Sequence, residues 1–140
     1  MSRKKKYYDI VTIFPEMVEP YLQGSILGRA QKSGILTLKA HDLRLWSPDK
    51  KHHKVDDTPY GGGPGMVMQV EPFHKAVLAL KQKKKKACVI LTSASGKRFT
   101  QEDAVRLSAY DQLIFLCGRY EGVDARVETA IADKSLSIGD

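Results

Sequence analysis

A chain of 140 residues with 23 basic and 16 acidic side chains, net charge +7, and 42% hydrophobic residues suits one domain, burying roughly 70% of the surface exposed when unfolded. Two cysteines exclude a disulfide scaffold, and no apolar run reaches membrane-spanning length. The charge favours a polyanionic partner, because lysines and arginines gain affinity by releasing counterions condensed on nucleic-acid phosphates.

Much of that charge sits in two blocks, Arg3 to Lys6 and Lys81 to Lys86, the second interrupted only by Gln82. Such blocks are expected as solvated tails or loops, with phosphate contact as the alternative. Tyr7 to Phe14 follows the first block, but Asp9 interrupts it and Pro15-Glu16 ends it without a small-residue cleavage site, so neither a signal peptide nor a membrane span is expected.

Tyr8 to Phe14 is short and rich in β-branched and aromatic residues, which predicts a strand; Pro15 then supplies the fixed φ of a first helical turn. Gly24 is expected to end that helix, Ser25 to cap a second one through Arg29 to Lys32, and Gly34 to stop it in a left-handed conformation. Ile35 to Ala40 resumes a strand. From Leu43 to Gly65 periodicity is lost among Ser47-Pro48, Asp57-Thr58-Pro59 and Gly61-Gly62-Gly63-Pro64-Gly65, and long irregular segments are uncommon without a function. Met66 to Val70 reads as a strand. Pro72 opens a helix whose Phe73, Ala76, Val77 and Leu80 share one face.

Ala87 to Ile90 predicts a buried strand, followed by a loop from Leu91 to Gly96. Thr100 with Asp103 resembles a capping box for a helix through Leu107. Gln112 to Cys117 is another buried strand, Val127, Ala130 and Ile131 support a short helix, and Ser135 to Ile138 forms a last apolar run. The alternation predicts an α/β domain: a mostly parallel sheet with helices on both faces, with no internal repeat and no interdomain linker. Cys88 and Cys117 fall inside strands and read as small buried hydrophobes.

Two glycine-anchored loops, Leu91 to Gly96 and Gly118-Arg119-Tyr120-Glu121-Gly122, would leave at the carboxyl ends of parallel strands, where open α/β sheets bind ligands. Ser137-Ile138-Gly139-Asp140 is a third such end. Tyr120 could stack on a purine, Glu121 accept hydrogen bonds from a base edge, and Arg119 meet phosphate, although a surface turn tolerates the same residues. Gly61, Gly62 and Gly63 permit positive φ and close approach of an anion or a planar base; the alternative is a loop without a ligand. Met66 and Val67 stand where a P-loop needs lysine and a hydroxyl residue. His52 and His53 before Asp56 and Asp57 do not match structural-zinc spacing and no metal is expected; His41 and His74 show no partner. A nucleophile elbow, a dinucleotide fingerprint and paired Cys-x-x-Cys are all missing.

Asp9 to Met17 (DIVTIFPEM), Asp56 to Met66 (DDTPYGGGPGM), Cys117 to Asp124 (CGRYEGVD) and Ser137 to Asp140 (SIGD), in this order, resemble the bacterial tRNA (guanine-N1)-methyltransferases, the TrmD family of the SPOUT class. The similarity covers nearly the whole chain after the basic start. It implies a knotted α/β domain, here with the knot incomplete, and a cytoplasmic homodimer. The implied reaction uses S-adenosylmethionine to methylate N1 of the guanine just 3′ of the tRNA anticodon. By the same resemblance Leu91, Thr92 and Ser93, then Gly118, Tyr120, Glu121 and Gly122, then Ser137, Ile138 and Gly139 wrap the cofactor. Gly61 to Gly63 would face the substrate, and Glu121 is the candidate catalytic contact to the guanine edge or cofactor region. Relatives continue past the position of Asp140 with the rest of the knot and a helical tRNA-binding domain, and the aspartate regarded as their general base lies there. These 140 residues alone are therefore expected to methylate weakly or not at all. Another SPOUT-class RNA methyltransferase and a non-catalytic RNA-binding module stay open as alternatives.

Overall fold

The computed structural model describes residues 4–58, 62–63, 65–119 and 122–139. Five parallel strands, β1 (Lys6–Thr12), β2 (Leu36–Asp42), β5 (Ala87–Arg98), β6 (Gln112–Cys117) and β7 (Lys134–Ser137), form one sheet in the order β2-β1-β6-β5-β7. β6 and the first half of β5 are apolar almost without interruption because both of their faces are covered, the signature of interior parallel strands. Two further strands of two residues each, β3 (Asp56–Asp57) and β4 (Val67–Met68), pair antiparallel beside the sheet.

The pleat sorts side chains by face. Val11, Val89, Leu91, Ile114 and Leu116 meet Phe73, Ala76 and Val77 of α3 (Val70–Leu80), together with Leu43, Val55, Met68 and Val127. The opposite face carries Cys88, Ile90, Leu113 and Leu136 against Leu107 of α4 (Gln101–Leu107). The predicted stripe on α3 is thus the core stripe. Pro72 falls in its first turn, where a missing N–H costs no hydrogen bond; the helix starts two residues before it, shortening the expected strand at Met66 to Val70 to β4.

α1 (Pro15–Gln23) begins at Pro15 as expected, and Gly24 alone separates it from α2 (Ser25–Lys32). Ser25 does not cap: it is the first helical residue, at φ +50°, and Gly24 holds the N-cap position with its carbonyl accepting from Gly28 N at 3.0 Å. A one-residue turn leaves Ser25 no extended position from which its hydroxyl could reach back. Gly34 is left-handed, φ +74°. The Thr100–Asp103 capping box is complete, with the Thr100 hydroxyl accepting from Asp103 N at 3.3 Å and Thr100 N donating to the Asp103 carboxylate at 2.9 Å. The helix expected around Val127, Ala130 and Ile131 is one π turn, Val127–Ile131, of which Val127 alone is buried. The segment from Leu43 contains a 3-10 turn, Leu43–Trp46, before β3.

His41 is not without a partner, as its sequence surroundings suggested. Its Nε2 lies 2.7 Å from Asp9 Oδ1, and the other Asp9 oxygen accepts from Gln112 Nε2 at 2.9 Å. Gln112, fully buried, also donates to Leu80 O at 2.8 Å and accepts from Gln82 N at 3.0 Å. This network ties β2, β1, β6 and the end of α3 together, as buried polar groups require. Among the described residues no helix is long and apolar enough to cross a membrane.

Candidate functional site at the carboxyl ends of three strands

β6, β5 and β7 are neighbours and parallel, so the three glycine-bearing ends emerge side by side. Thr92 is in register with Cys117 on one flank and with Leu136 on the other. Beyond Thr92 the ladder with β7 breaks and resumes at Lys97, again opposite Leu136, then continues with Arg98 opposite Ser137. The expected loop at Leu91 to Gly96 is therefore corrected: Leu91 and Thr92 belong to the ladder, and Ser93 to Gly96 form an excursion after which the chain rejoins the same partner. Gly96 permits the return, because a Cβ there would lie 2.7 Å from the Ser135 carbonyl carbon. Ser93 Oγ closes the excursion, accepting from Ser95 N at 3.3 Å with Ser95 Oγ at 3.0 Å. The Leu91 side chain is buried in the core, whereas Thr92 Oγ1 donates to Leu116 O at 3.3 Å.

At the end of β6, Gly122 N donates to Arg119 O at 3.3 Å, turning the chain tightly. Gly122 sits at φ +130°, which only glycine adopts readily. The Arg119 guanidinium lies over the Phe14 ring, 4.6 Å from its centroid, a cation–π contact that joins this loop to the end of β1. Tyr120 and Glu121, the predicted stacking and catalytic candidates, lie outside the described residues, as does Gly61.

β4, which follows the glycine-rich segment, is held against the same loop. Met68 N donates to Gly122 O at 3.1 Å, Asp124 N donates to Met68 O at 2.8 Å, and Arg119 N approaches Met68 Sδ at 3.1 Å. Gly62 and Gly65 are left-handed, at φ +74° and +89°. A Cβ at Gly62 or Gly63 would meet no atom within 4 Å, so open space adjoins them. At the end of β7, Ser137 O accepts from Phe99 N at 2.7 Å and Ser137 Oγ from Gly139 N at 3.2 Å. Gly139 is at φ +106°, and Ile138 between them is 87% exposed. An apolar side chain so displayed beside two small residues offers a surface for a flat, apolar ligand face.

An open cleft of about 950 Å³ adjoins the β6 loop, walled by Pro48, Asp57, Thr58, the stretch from Val67 to Glu71, and Val123 to Arg126. Of the three strand ends, only the segment after β6 reaches it, so the cleft lies beside the cradle of β5 and β7 rather than within it. Arg126 grips Asp124 through Nη2–Oδ2 at 2.7 Å and Nε–Oδ1 at 3.0 Å, and its guanidinium holds the Asp124 carboxyl below the usual carboxylate range. Met68 and Arg126 belong to no recognisable motif in the sequence; Met68 stands three residues after Gly65 and Arg126 four after Gly122. Burial pushes the thiols of Cys88 and Cys117 up, and both are unpaired. Among the described residues no three His, Cys, Asp or Glu side chains converge as a metal site; the Asp49 carboxylate near His52 instead accepts from Lys51 N and His52 N.

The family model for tRNA (guanine-1)-methyltransferase TrmD matches residues 6–140. A tRNA (guanine-N(1)-)-methyltransferase of Thermobifida fusca is 50% identical over 138 residues, covering 94% of this chain and 52% of that protein. One of Porphyromonas gingivalis is 49% identical over 132 residues, 94% of this chain and 58% of that protein; one of Thermomicrobium roseum is 46% identical over 134 residues, 95% and 50%. The chain spans about half the length of the curated relatives it matches. The family-model match over residues 6–140, with identities of 46–50% along nearly the full chain, places it in the TrmD family of tRNA (guanine-1)-methyltransferases.

Proposed function

We propose that this chain forms the cofactor-binding part of an enzyme that methylates N1 of the guanine 3′-adjacent to the tRNA anticodon, with S-adenosylmethionine as donor. The observation that carries the reading is the juxtaposition of three strand ends around Thr92, flanked by Cys117 and Leu136. The residues fit such a ligand: a Cβ at Gly122 or Gly139 would meet nothing within 4 Å, so both positions border open space where main-chain groups can meet adenine and ribose edges. When bound, the donor supplies an electrophilic methyl group on a positively charged sulfur.

Guanine N1 carries a proton and is a poor nucleophile, so the protein must align N1 with the methyl carbon and provide a base for that proton. The chain's contribution is alignment: the cradle fixes the donor, and the cleft beside Gly122 is positioned to receive the base. Asp124, the carboxylate next to this loop, has both oxygens engaged by Arg126, whose guanidinium makes it a weaker base, which suits orientation rather than proton removal. Glu121 is proposed to contact the guanine edge or the cofactor region. The active form is proposed to be a cytoplasmic homodimer.

Calorimetry of the chain with S-adenosylmethionine tests the reading: saturable one-site heat is expected. RNA binding without any such heat would favour a non-catalytic RNA-binding module. Transfer of labelled methyl to tRNA with and without guanine after the anticodon, assayed with a protein of the relatives' full length, separates this substrate from those of other SPOUT-class enzymes.

A further inference from the structure

The two lysine blocks, 75 residues apart in the sequence, meet. β1, β5 and β6 are parallel and start level, with Tyr7 opposite Gln112 and Gln112 opposite Ala87. Lys4 to Lys6 therefore enter the sheet beside Lys83 to Lys86. Lys5 and Lys85 both hold their ammonium groups over the Tyr7 ring, 5.9 and 5.2 Å from its centroid, and Lys86 lies 4.8 Å from that of Tyr110. Lys4, Lys6 and Lys85 all act on the Asp111 carboxyl, which the Lys86 N–H holds below the usual carboxylate range first and their charges reinforce.

Lys4, Lys5 and Lys83 to Lys86 are exposed, as expected of solvated blocks, while the backbone that carries the second block is pinned. Lys86 N donates to Asp111 Oδ2 at 2.9 Å, Lys86 O accepts from Asp111 N at 2.8 Å, and Gln82 N is held by Gln112. Lys6 Nζ donates to Ser108 O and Tyr110 O at 2.7 and 2.8 Å. The chain has 23 basic and 16 acidic side chains, so its whole surplus of seven equals in number the seven lysines at positions 4–6 and 83–86.

From these observations we infer that the amino-terminal edge of the sheet is a second RNA contact, a docking surface for the phosphate backbone of the same RNA whose base reaches the cleft at the carboxyl end of β6. The inference rests on the reading of the chain as part of an RNA methyltransferase. The two ends are separated by the length of β6, about 20 Å at roughly 3.3 Å per residue, so a folded RNA can touch both. Pinned like charges repel one another, and a polyanion relieves that repulsion while releasing counterions.

The test is the salt dependence of tRNA binding by fluorescence anisotropy, with S-adenosylmethionine calorimetry alongside. Lys83→Gln/Lys84→Gln/Lys85→Gln, all exposed positions, is expected to lower the slope of log K against log salt by about 2, at roughly 0.7–0.9 per phosphate contact, with cofactor heat unchanged. Lys4→Gln/Lys5→Gln should lower it by more than 1, because both blocks form one surface. The control Arg29→Gln/Lys32→Gln/Lys39→Gln, elsewhere on the fold, should leave it unaltered. Melting curves verify that each variant is folded. An unchanged slope in both lysine-block variants, an equal fall in the control, or loss of binding to phosphatidylglycerol vesicles with tRNA binding intact would overturn the proposal. Loss of cofactor heat in the unsubstituted chain would instead count against the methyltransferase reading.

Discussion

The backbone of Gly96 runs so close to that of Ser135 that a Cβ on residue 96 would lie 2.8 Å from the Ser135 carbonyl oxygen and 2.7 Å from its carbon. Real Cβ atoms do not approach backbone so nearly, and neither partner is the far end of a flexible side chain. Gly96→Ala should therefore push β7 away and destabilise the fold by about 2 kcal/mol, as overpacking does. A drop in melting temperature together with weaker S-adenosylmethionine binding is expected; a variant that melts and binds like the parent would show that the two strands can part freely.

Gly122 tests the loop after β6. At φ +130° a β-branched residue carries strain of roughly 1–3 kcal/mol, and the Gly122 carbonyl also anchors Met68 N. Gly122→Val should weaken cofactor binding about tenfold or more, at roughly 1.4 kcal/mol per tenfold, as read by calorimetry. Unchanged affinity would remove this loop from the proposed site.

Gln112 is the hub of the buried polar network. Gln112→Ala deletes its bonds to Asp9, Leu80 and Gln82 and leaves a buried carboxylate oxygen unsatisfied, which should cost about 3 kcal/mol in chemical denaturation. Cofactor affinity of the folded fraction should be retained, because residue 112 begins β6 and the cradle lies at its other end.

Asp103 gives a pH signature. The Arg106 guanidinium at 2.9 Å, followed by the Thr100 N–H and hydroxyl, holds its carboxyl well below the ordinary range. A carboxylate depressed in the folded state adds stability that is present above its unfolded pKa, about 3.9, and fades as the pH drops toward the folded value. Asp103→Asn should thus melt below the parent at neutral pH, and the gap should close on acidification below about pH 4. Melting curves that stay parallel down to about pH 2 would contradict the assignment.

Local rules made much of this fold readable. The limits of β6 follow from an uninterrupted apolar run, the start of α4 from Thr100 and Asp103, and the buried face of α3 from the spacing of Phe73, Ala76 and Val77. What escaped was long-range. Asp9 and His41 are polar interruptions in two separate strands, and nothing local shows that they meet. The return of β5 to Leu136 after a four-residue excursion depends on a neighbouring strand contributed about 40 residues later. The strand ends of the candidate site were legible as glycine-anchored turns, whereas the docking of Met68 on Gly122 came from a two-residue ladder too short to carry any alternation.

Met68 also joins two regions of the fold. Its backbone is shared between the Asp56 pairing on one side and Gly122 with Asp124 on the other, while its side chain is fully enclosed. β3, β4 and the chain from Gly122 to Asp124 thus share one fixed joint, so a displacement at Gly122 is passed directly to the Asp56 pairing. Because Val67 and Met68 also wall the cleft together with Val123 and Asp124, a ligand that moves Gly122 would reshape that cleft as well.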